Sequence, residues 1–194
     1  MTIIEFIERV LGSLFPDGLD SWRSWLVFLK CVFGLSLDVD ELEVFRRHTG
    51  RQWPRAGGYL EVVCIAGCQS GKSFIAAVLA IYAALTGQSG THALLVAQDH
   101  RSALRVLFRY CQGAFESIPT LAAEVSRSTT DSVELRNGVT LSAYPCRPES
   151  VRGLRACIAV VDELAFFTAT DGRPVDVEML RAIRGRVATT KGRV

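Results

Sequence analysis

Apolar residues recur at helical spacing in the first fifty positions and form short continuous runs in the rest of the chain. Helices are predicted over residues 2–15, 21–32 and 38–48, and Pro16-Asp17-Gly18 closes the first of them. Short β-branched runs then alternate with longer stretches rich in Ala and Leu, which is typical of strands separated by helices. The pattern predicts an α/β protein with a mostly parallel sheet flanked by helices and an N-terminal helical segment.

One predicted strand-to-helix junction carries a loop of small residues. Residues 59–65 predict a strand buried on both faces, and residues 74–85 predict a helix that ends at Gly87. The turn between them reads Ala66-Gly67-Cys68-Gln69-Ser70-Gly71-Lys72-Ser73. It matches the phosphate loop G-x-x-x-x-G-K-[S/T] of nucleotide-binding proteins except that Ala66 replaces the first glycine.

The chemistry of such a loop assigns a role to each of its residues. Backbone N–H groups of the tight turn and the positive end of the following helix form an anion site, and the turn here consists of Gly67, Cys68, Gln69, Ser70 and Gly71. Lys72 is predicted to reach the β- and γ-phosphates of ATP, and the Ser73 hydroxyl to hold Mg²⁺. The alternative is an ordinary strand-turn-helix with a chance lysine.

A second apolar run ends in two carboxylates. Residues 157–161 predict a buried strand, and Asp162 and Glu163 follow it directly. The two charges cannot be buried without a cation or partners, so we expect them at the open end of the strand. Asp162 is predicted to support the metal and Glu163 to activate water as the general base. A strand followed by a solvated acidic turn is the alternative.

The order of these motifs resembles that of one family. Gly67–Ser73, Arg152-Gly153 and residues 160–167 (Val-Val-Asp-Glu-Leu-Ala-Phe-Phe) together resemble the P-loop ATPase domain of large terminase subunits, the DNA-packaging motors of tailed bacteriophages. Residues 94–99, with Ala103 in the helix behind them, resemble the family's second strand and helix. Residues 133–141 predict a hairpin, because Asn-Gly suits a type I′ turn, and the family has a hairpin at this point.

The resemblance implies a function, cofactors and partners. It implies hydrolysis of ATP, with Mg²⁺, to translocate double-stranded DNA into a procapsid. The expected partners are DNA, further copies of the chain in a ring on a portal, and a small terminase subunit, in the cytoplasm of a host cell. A helicase-like, nucleic-acid-dependent ATPase and a nucleotide-binding fragment without turnover remain the alternatives.

The resemblance also implies roles for residues outside the two motifs. Arg152 matches an arginine that can act on a neighbouring subunit's nucleotide, and Gln52 or Arg51 is expected near the adenine base. Family loops often carry arginine where this chain has Cys68, so catalysis is expected to depend on another arginine. We expect a helical segment over residues 1–50 and an ATPase core over 51–194 that stops before the family's coupling strand and nuclease domain.

Composition limits these expectations further. A formal net charge of +2 predicts no strong attraction to DNA over the whole surface, although arginines concentrate near the C-terminus as a solvated helix face or a DNA contact. The six cysteines lack a C-x-x-C pair and metal-ligand spacing, which favours a reduced cytosolic setting. Cys64 and Cys157 are expected inside buried strands. No apolar stretch is long enough to cross a membrane, so no membrane partner is expected.

Overall fold

The computed structural model describes residues 1–169 and 171–194 and divides them into two units, Met1–Cys64 and Ile65–Val194. The first unit begins with a short helix, α1 (Ile3–Phe6), which continues as a π turn (Ile7–Leu11) and a 3₁₀ turn (Gly12–Leu14). The Thr2 hydroxyl accepts a hydrogen bond from the N–H of Glu5, and the Glu5 carboxylate accepts one from the N–H of Thr2. This reciprocal capping box starts the helix at its predicted position.

The other two predicted helices are also confirmed. After a 3₁₀ turn (Leu19–Trp22), α2 (Arg23–Phe33) ends where Gly34 adopts the left-handed conformation with a φ of 68°. α3 (Val39–Thr49) begins at Asp38, which forms a second capping box with Glu41. Val27 and Cys31 of α2 pack against Phe45 of α3 in a small apolar cluster.

The chain after α3 folds back onto these helices. Tyr59 packs against the same cluster, and its N–H donates to the carbonyl of Val32 at 3.0 Å. A Cβ on Gly58 would lie 2.4 Å from that carbonyl, so only glycine allows this approach. The sequence predicts a boundary at residue 50, whereas the structure places residues 51–64 in the unit that contains the N-terminal helices.

The predicted strand over residues 59–65 is wrong. None of these residues is in a strand, and the side chains of Val63 and Ile65 are 77% and 98% exposed. A strand needs a neighbouring backbone to bond its N–H and C=O groups, and within residues 1–169 and 171–194 no segment forms a ladder with residues 62–65. An apolar, β-branched sequence cannot supply that partner itself. Cys64 is consequently exposed rather than buried.

The second unit is built on one mixed sheet of five strands. They are β1 (His92–Ala97), β2 (Val125–Ser128), β3 (Ser132–Leu135), β4 (Thr140–Pro145) and β5 (Ala156–Val161), in the order β2-β3-β4-β1-β5. The strands β4, β1 and β5 are parallel, while β2 and β3 extend the sheet with antiparallel pairs. The α/β class is confirmed, and the mostly parallel sheet is corrected to a mixed sheet with a parallel core.

Helices cover this sheet. They are α4 (Lys72–Thr86), α5 (His100–Ala103), α6 (Arg109–Ser117), α7 (Pro119–Ala122) and α8 (Asp176–Val187), and a π turn (Leu104–Phe108) joins α5 to α6. The strand β1, between β4 and β5, is fully buried from Ala93 to Val96, as a strand covered on both faces must be. All these described helices are too short or too polar to cross a lipid bilayer.

The buried face of α8 differs from the predicted one. The sequence suggests that Val177, Leu180, Ile183 and Val187 face inward, but Val177 is 54% exposed. Met179, Ile183 and Val187 are buried instead, at the i, i+4, i+8 spacing of one helix face. Met179 is as apolar as Val177, so only packing against the sheet decides between the two faces.

The predicted hairpin between β3 and β4 is confirmed, with a different turn. The N–H of Gly138 donates to the carbonyl of Leu135, and the N–H of Leu135 donates to the carbonyl of Val139. Gly138 has a φ of 82° and Asn137 does not have a positive φ, so the turn is type I followed by a left-handed glycine. The amide of Asn137 instead donates to the carbonyls of Ala84 and Leu85, at the end of α4.

Candidate functional site

The loop before α4 is exposed and contains two residues in the left-handed conformation. Gln69 and Gly71 have φ values of 58° and 85°, and the left-handed Gly71 directly precedes Lys72, the first residue of the helix. The residues Gly67, Cys68, Gln69 and Ser70 are all exposed. The N–H groups of a first helical turn have no partner within their own helix, and the helix dipole is positive there. The loop therefore ends in a site suited to an anion.

Ser73 joins this loop to the carboxyl end of β5, where Asp162 lies. Its hydroxyl Oγ donates a hydrogen bond to Oδ2 of Asp162 at 3.0 Å, although 89 positions separate the two residues. Both side chains are partly buried, so water competes only partly for this bond. The contact is possible because α4 packs on β1 and β5 with its first turn at the carboxyl end of β5.

Asp162 lies at the edge of the sheet where the parallel strands end. Its N–H donates to the carbonyl of Val96 at 2.9 Å, which holds the backbone of Asp162 beside the end of β1. Next to it, the thiol of Cys146, which follows β4, donates to the carbonyl of Gln98 at 2.9 Å. Ligands of open α/β sheets bind outside the carboxyl ends of the strands, and this is the edge at which Asp162 lies.

Glu163 follows Asp162 with an unusual backbone. Its φ of 55° is left-handed, a conformation that costs a non-glycine residue roughly 1–3 kcal/mol. The turn is held by two features: the carbonyl of Glu163 accepts from the N–H of Phe166, and Phe167 is buried in the core. The Glu163 side chain is exposed. The turn therefore keeps the side chain of Glu163 in solvent, one position after Asp162.

The donors at this edge fit a magnesium ion that is bound together with a nucleotide. Mg²⁺ in such sites takes one or two protein oxygens and fills its other positions with phosphate oxygens and water. The Ser73 hydroxyl and the Asp162 carboxylate are two oxygen donors of this kind, with Oγ and Oδ2 3.0 Å apart. Over residues 1–169 and 171–194, no three His, Cys, Asp or Glu side chains cluster into a metal site. The donor set thus matches a shared site and not an all-protein cage.

Arg152 lies elsewhere on the second unit. It follows the 3₁₀ turn Pro148–Val151, its side chain is 70% exposed, and its nearest recorded ionic contact is with Glu149 at 4.0 Å. With Pro148, it lines a groove against Glu178, Arg181, Ala182 and Arg186 of α8, and none of the loop residues lines that groove. The sequence shows that arginines concentrate near the C-terminus, but it gives no sign that they lie near Arg152.

Gln52 belongs to the unit Met1–Cys64. The Nε of Arg46 donates to its backbone carbonyl at 3.2 Å, and the guanidinium of Arg46 stacks on the neighbouring Trp53 ring at 5.1 Å. Gln52 and Arg51 are both exposed. A contact of either residue with an adenine base stays a prediction.

Comparison with known proteins was made on sequence and on structure. The family model for the T4likevirus-type N-terminal region of the terminase large subunit matches residues 63–172, more than half of the chain. The structure is similar to the crystal structure of the HK97 bacteriophage large terminase, with a TM-score of 0.59 and 17% identity, over 84% of this chain and 32% of that one. At this identity the likeness concerns the fold, and this chain spans about a third of that protein. A search of curated proteins found no match.

Proposed function

This chain belongs to the family of large terminase subunits, of the T4likevirus N-terminal type, and we propose that it is the ATP-hydrolysing part of a phage DNA-packaging motor. The observation that carries the proposal is the hydrogen bond of 3.0 Å between Ser73 and Asp162. It joins the hydroxyl that follows the loop lysine to the first acid after a buried strand. These are the two protein groups that a phosphate-loop ATPase uses to hold its metal.

The loop and helix would bind the nucleotide phosphates. Gly67, Cys68, Gln69, Ser70 and Gly71 offer backbone N–H groups, and the left-handed Gly71 turns the chain so that α4 begins at Lys72. The Lys72 ammonium would neutralise charge on the β- and γ-phosphates. Ser73 and Asp162 would hold Mg²⁺, which supplies positive charge to the phosphate oxygens when it is bound.

Glu163 would act as the general base. It directly follows Asp162, and its exposed carboxylate is reached by solvent, so an attacking water could transfer a proton to it. Cys68 stands where family loops often carry arginine, so a further positive charge on the γ-phosphate, besides that of Lys72, would come from another arginine. Arg152 is exposed and only loosely paired, as a residue that reaches a neighbouring subunit's nucleotide would be. Gln52 remains our proposed contact for adenine.

Family membership supports a proposal about the larger assembly. We propose a homo-oligomeric ring that moves double-stranded DNA through a portal into a procapsid, with a small terminase subunit as a further partner. ATP hydrolysis in one subunit would be completed by Arg152 of the next.

A second candidate function is nucleotide binding without turnover. It is favoured by the exposed segment before the loop: Ile65 is 98% exposed, and within residues 1–169 and 171–194 no strand leads into Gly67. A loosely held loop could bind phosphates and still position them too poorly for reaction, because misplacement by about 1 Å can cost two orders of magnitude in rate.

Phosphate release by the purified chain, with ATP and Mg²⁺, tests the proposal. We expect Glu163→Gln to lower turnover by roughly 10²- to 10⁴-fold, the usual contribution of a general base, while ATP affinity is kept. Glu116→Gln, an exposed carboxylate on α6, is the matched control and should leave both quantities unchanged. Equal, near-zero turnover in the wild type and Glu163→Gln with intact binding supports the second candidate. A wild type that does not bind ATP contradicts both.

A further inference from the structure

A groove beside α8 on the second unit is lined mainly by charged side chains. It has a volume of about 620 Å³ and is lined by Pro148, Arg152, Glu178, Arg181, Ala182 and Arg186. Its two walls share one core, because Val151 of the 3₁₀ turn and Met179 and Ile183 of α8 belong to the same buried cluster. The arginines therefore project from a rigid framework.

The groove has an excess of positive charge. Three guanidinium groups face one carboxylate, that of Glu178. Glu149, just outside the lining, approaches Arg152 only to 4.0 Å, and both side chains are 70% exposed, so this pair contributes little neutralisation. Guanidinium groups bind phosphate through two parallel N–H donors, and this geometry makes arginine the common residue for phosphate recognition.

The fold itself does not use these charges. Arg186 lies in the last turn of α8, where a cation favours the helix dipole, but Arg181 lies near the middle of the helix, outside the reach of this effect. Across residues 1–169 and 171–194, neither Arg181 nor Arg186 has a recorded side-chain hydrogen bond or ion pair. By contrast, Arg173, in the turn before α8, is held by Asp171 at 2.7 Å.

The spacing of the arginines fits an extended polyanion. Arg181 and Arg186 are five residues apart, or about 7.5 Å along the helix axis. Phosphates of one DNA strand rise by about 3.4 Å per step, so two steps cover nearly the same distance. Ala182 lies between the two arginines in the groove lining and leaves room for a backbone to approach. A single triphosphate would instead call for clustered backbone N–H groups at a helix N-terminus, which this part of α8 lacks.

We infer that the α8 wall of this groove binds the phosphodiester backbone of duplex DNA through Arg181 and Arg186, while Arg152 on the opposite wall keeps the role proposed above. The inference rests on the proposed function, which supplies duplex DNA as the polyanion. It adds a DNA-contacting surface that is separate from the nucleotide loop. The small net charge of the chain is consistent with a local contact of this kind.

Fluorescence anisotropy with a short labelled DNA duplex, at several salt concentrations, tests the inference on the full chain. Arg181→Gln/Arg186→Gln should weaken binding about tenfold or more. It should also reduce the slope of log affinity against log salt by about 1 for each arginine that contacts a phosphate. Glutamine keeps the helix propensity of arginine, so α8 should remain folded.

Arg109→Gln/Arg127→Gln is the matched control, because it removes the same charge from exposed positions on α6 and β2. It should leave both the affinity and the salt slope near the wild-type values. Equal losses in the two double variants would overturn the inference in favour of diffuse attraction. Wild-type DNA binding by the groove variant would overturn it as well.

Measurements on the nucleotide site separate this inference from the proposed function. ATP affinity should be the same in the groove variant and the wild type, because no loop residue lines the groove. If ATP turnover falls while DNA affinity stays unchanged, the groove serves a neighbouring subunit and the DNA inference is wrong. If the chain hydrolyses ATP but does not bind duplex DNA at all, the inference fails while the ATPase proposal stands.

Discussion

The Ser73 hydroxyl donates to the Asp162 carboxylate at 3.0 Å and thereby joins the first turn of α4 to the end of β5. One of these residues belongs to a loop that can cradle phosphate and the other to a strand that ends in acids. Their contact brings together the two groups that we propose to hold the metal. The consequences for nucleotide binding can be measured on single variants.

Asp162→Asn should weaken the binding of Mg²⁺-ATP about tenfold or more, since an amide is a poorer magnesium ligand than a carboxylate. The amide oxygen can still accept from Ser73, so the fold should be kept. Isothermal titration calorimetry with and without EDTA measures the effect, which should vanish in EDTA. Asp20→Asn, an exposed position in the first unit, is the control. An equal loss in EDTA would show that Asp162 does not act through a metal.

Lys72→Ala should abolish high-affinity ATP binding. Hydrogen bonds to charged groups contribute about 1.5–3 kcal/mol each, so the loss should be roughly 10- to 100-fold or greater. The same calorimetry measures it. Lys191→Gln, an exposed lysine at the end of the chain, should bind ATP as the wild type does. Unchanged affinity in Lys72→Ala would remove this lysine from the site.

Cys68 should be protected from alkylation by ATP. Its thiol is exposed in the phosphate loop, so iodoacetamide should label it in the free protein, and mass spectrometry should show less labelling at saturating ATP. Cys64 is also exposed but precedes the loop, and its labelling is the internal control. If the extent of Cys68 labelling is the same with and without ATP, the nucleotide binds elsewhere.

Cys111 should resist the same reagent until the protein unfolds. Burial raises the pKa of its thiol far above the usual range, and the thiolate is the reactive form, so almost none is present at neutral pH. Stability linked to this group follows the raised pKa: the buried neutral thiol is favoured at neutral pH, and stability falls once the pH exceeds the pKa of an unfolded cysteine. Ready labelling in the native state at neutral pH would contradict this burial.

Gly138→Ala should destabilise the second unit more than Gly172→Ala. Both glycines have left-handed φ values, 82° and 83°, which cost alanine about 1 kcal/mol or more. Only at Gly138 would the new Cβ meet a neighbour, the Ser89 Oγ at 2.3 Å, whereas Gly172 has open space. Urea unfolding should show an extra loss of about 1–3 kcal/mol for Gly138→Ala. Equal losses would show that Ser89 moves aside.

Met179→Ala should cost about 2–5 kcal/mol of unfolding free energy, because the methionine is fully buried on the inner face of α8. Val177→Ala, on the exposed side of the same helix, should change it by less than about 0.5 kcal/mol. Thermal and urea unfolding of both variants measures the difference. A larger loss in Val177→Ala would restore the helix face that the sequence pattern suggests.

Local signals predicted many elements of this fold. Caps at Thr2 and Asp38 start helices where the sequence places them, and the hairpin before Thr140 forms around Asn137 and Gly138. The type of that turn could not be predicted from the sequence. The Asn137 amide donates to a carbonyl at the end of α4, which is distant in sequence. The buried face of α8 depended on the sheet in the same way.

The sequence by itself determined the three N-terminal helices, the hairpin and the candidate loop, since each depends on neighbouring residues in the chain. Tertiary structure alone decided that residues 59–65 are not in a strand, because a strand requires backbone partners that its own residues cannot provide. It also decided that Ser73 meets Asp162 and that Arg152 shares a groove with Arg181 and Arg186. These contacts join residues far apart in the chain, and only the packing of helices on the sheet brings them together.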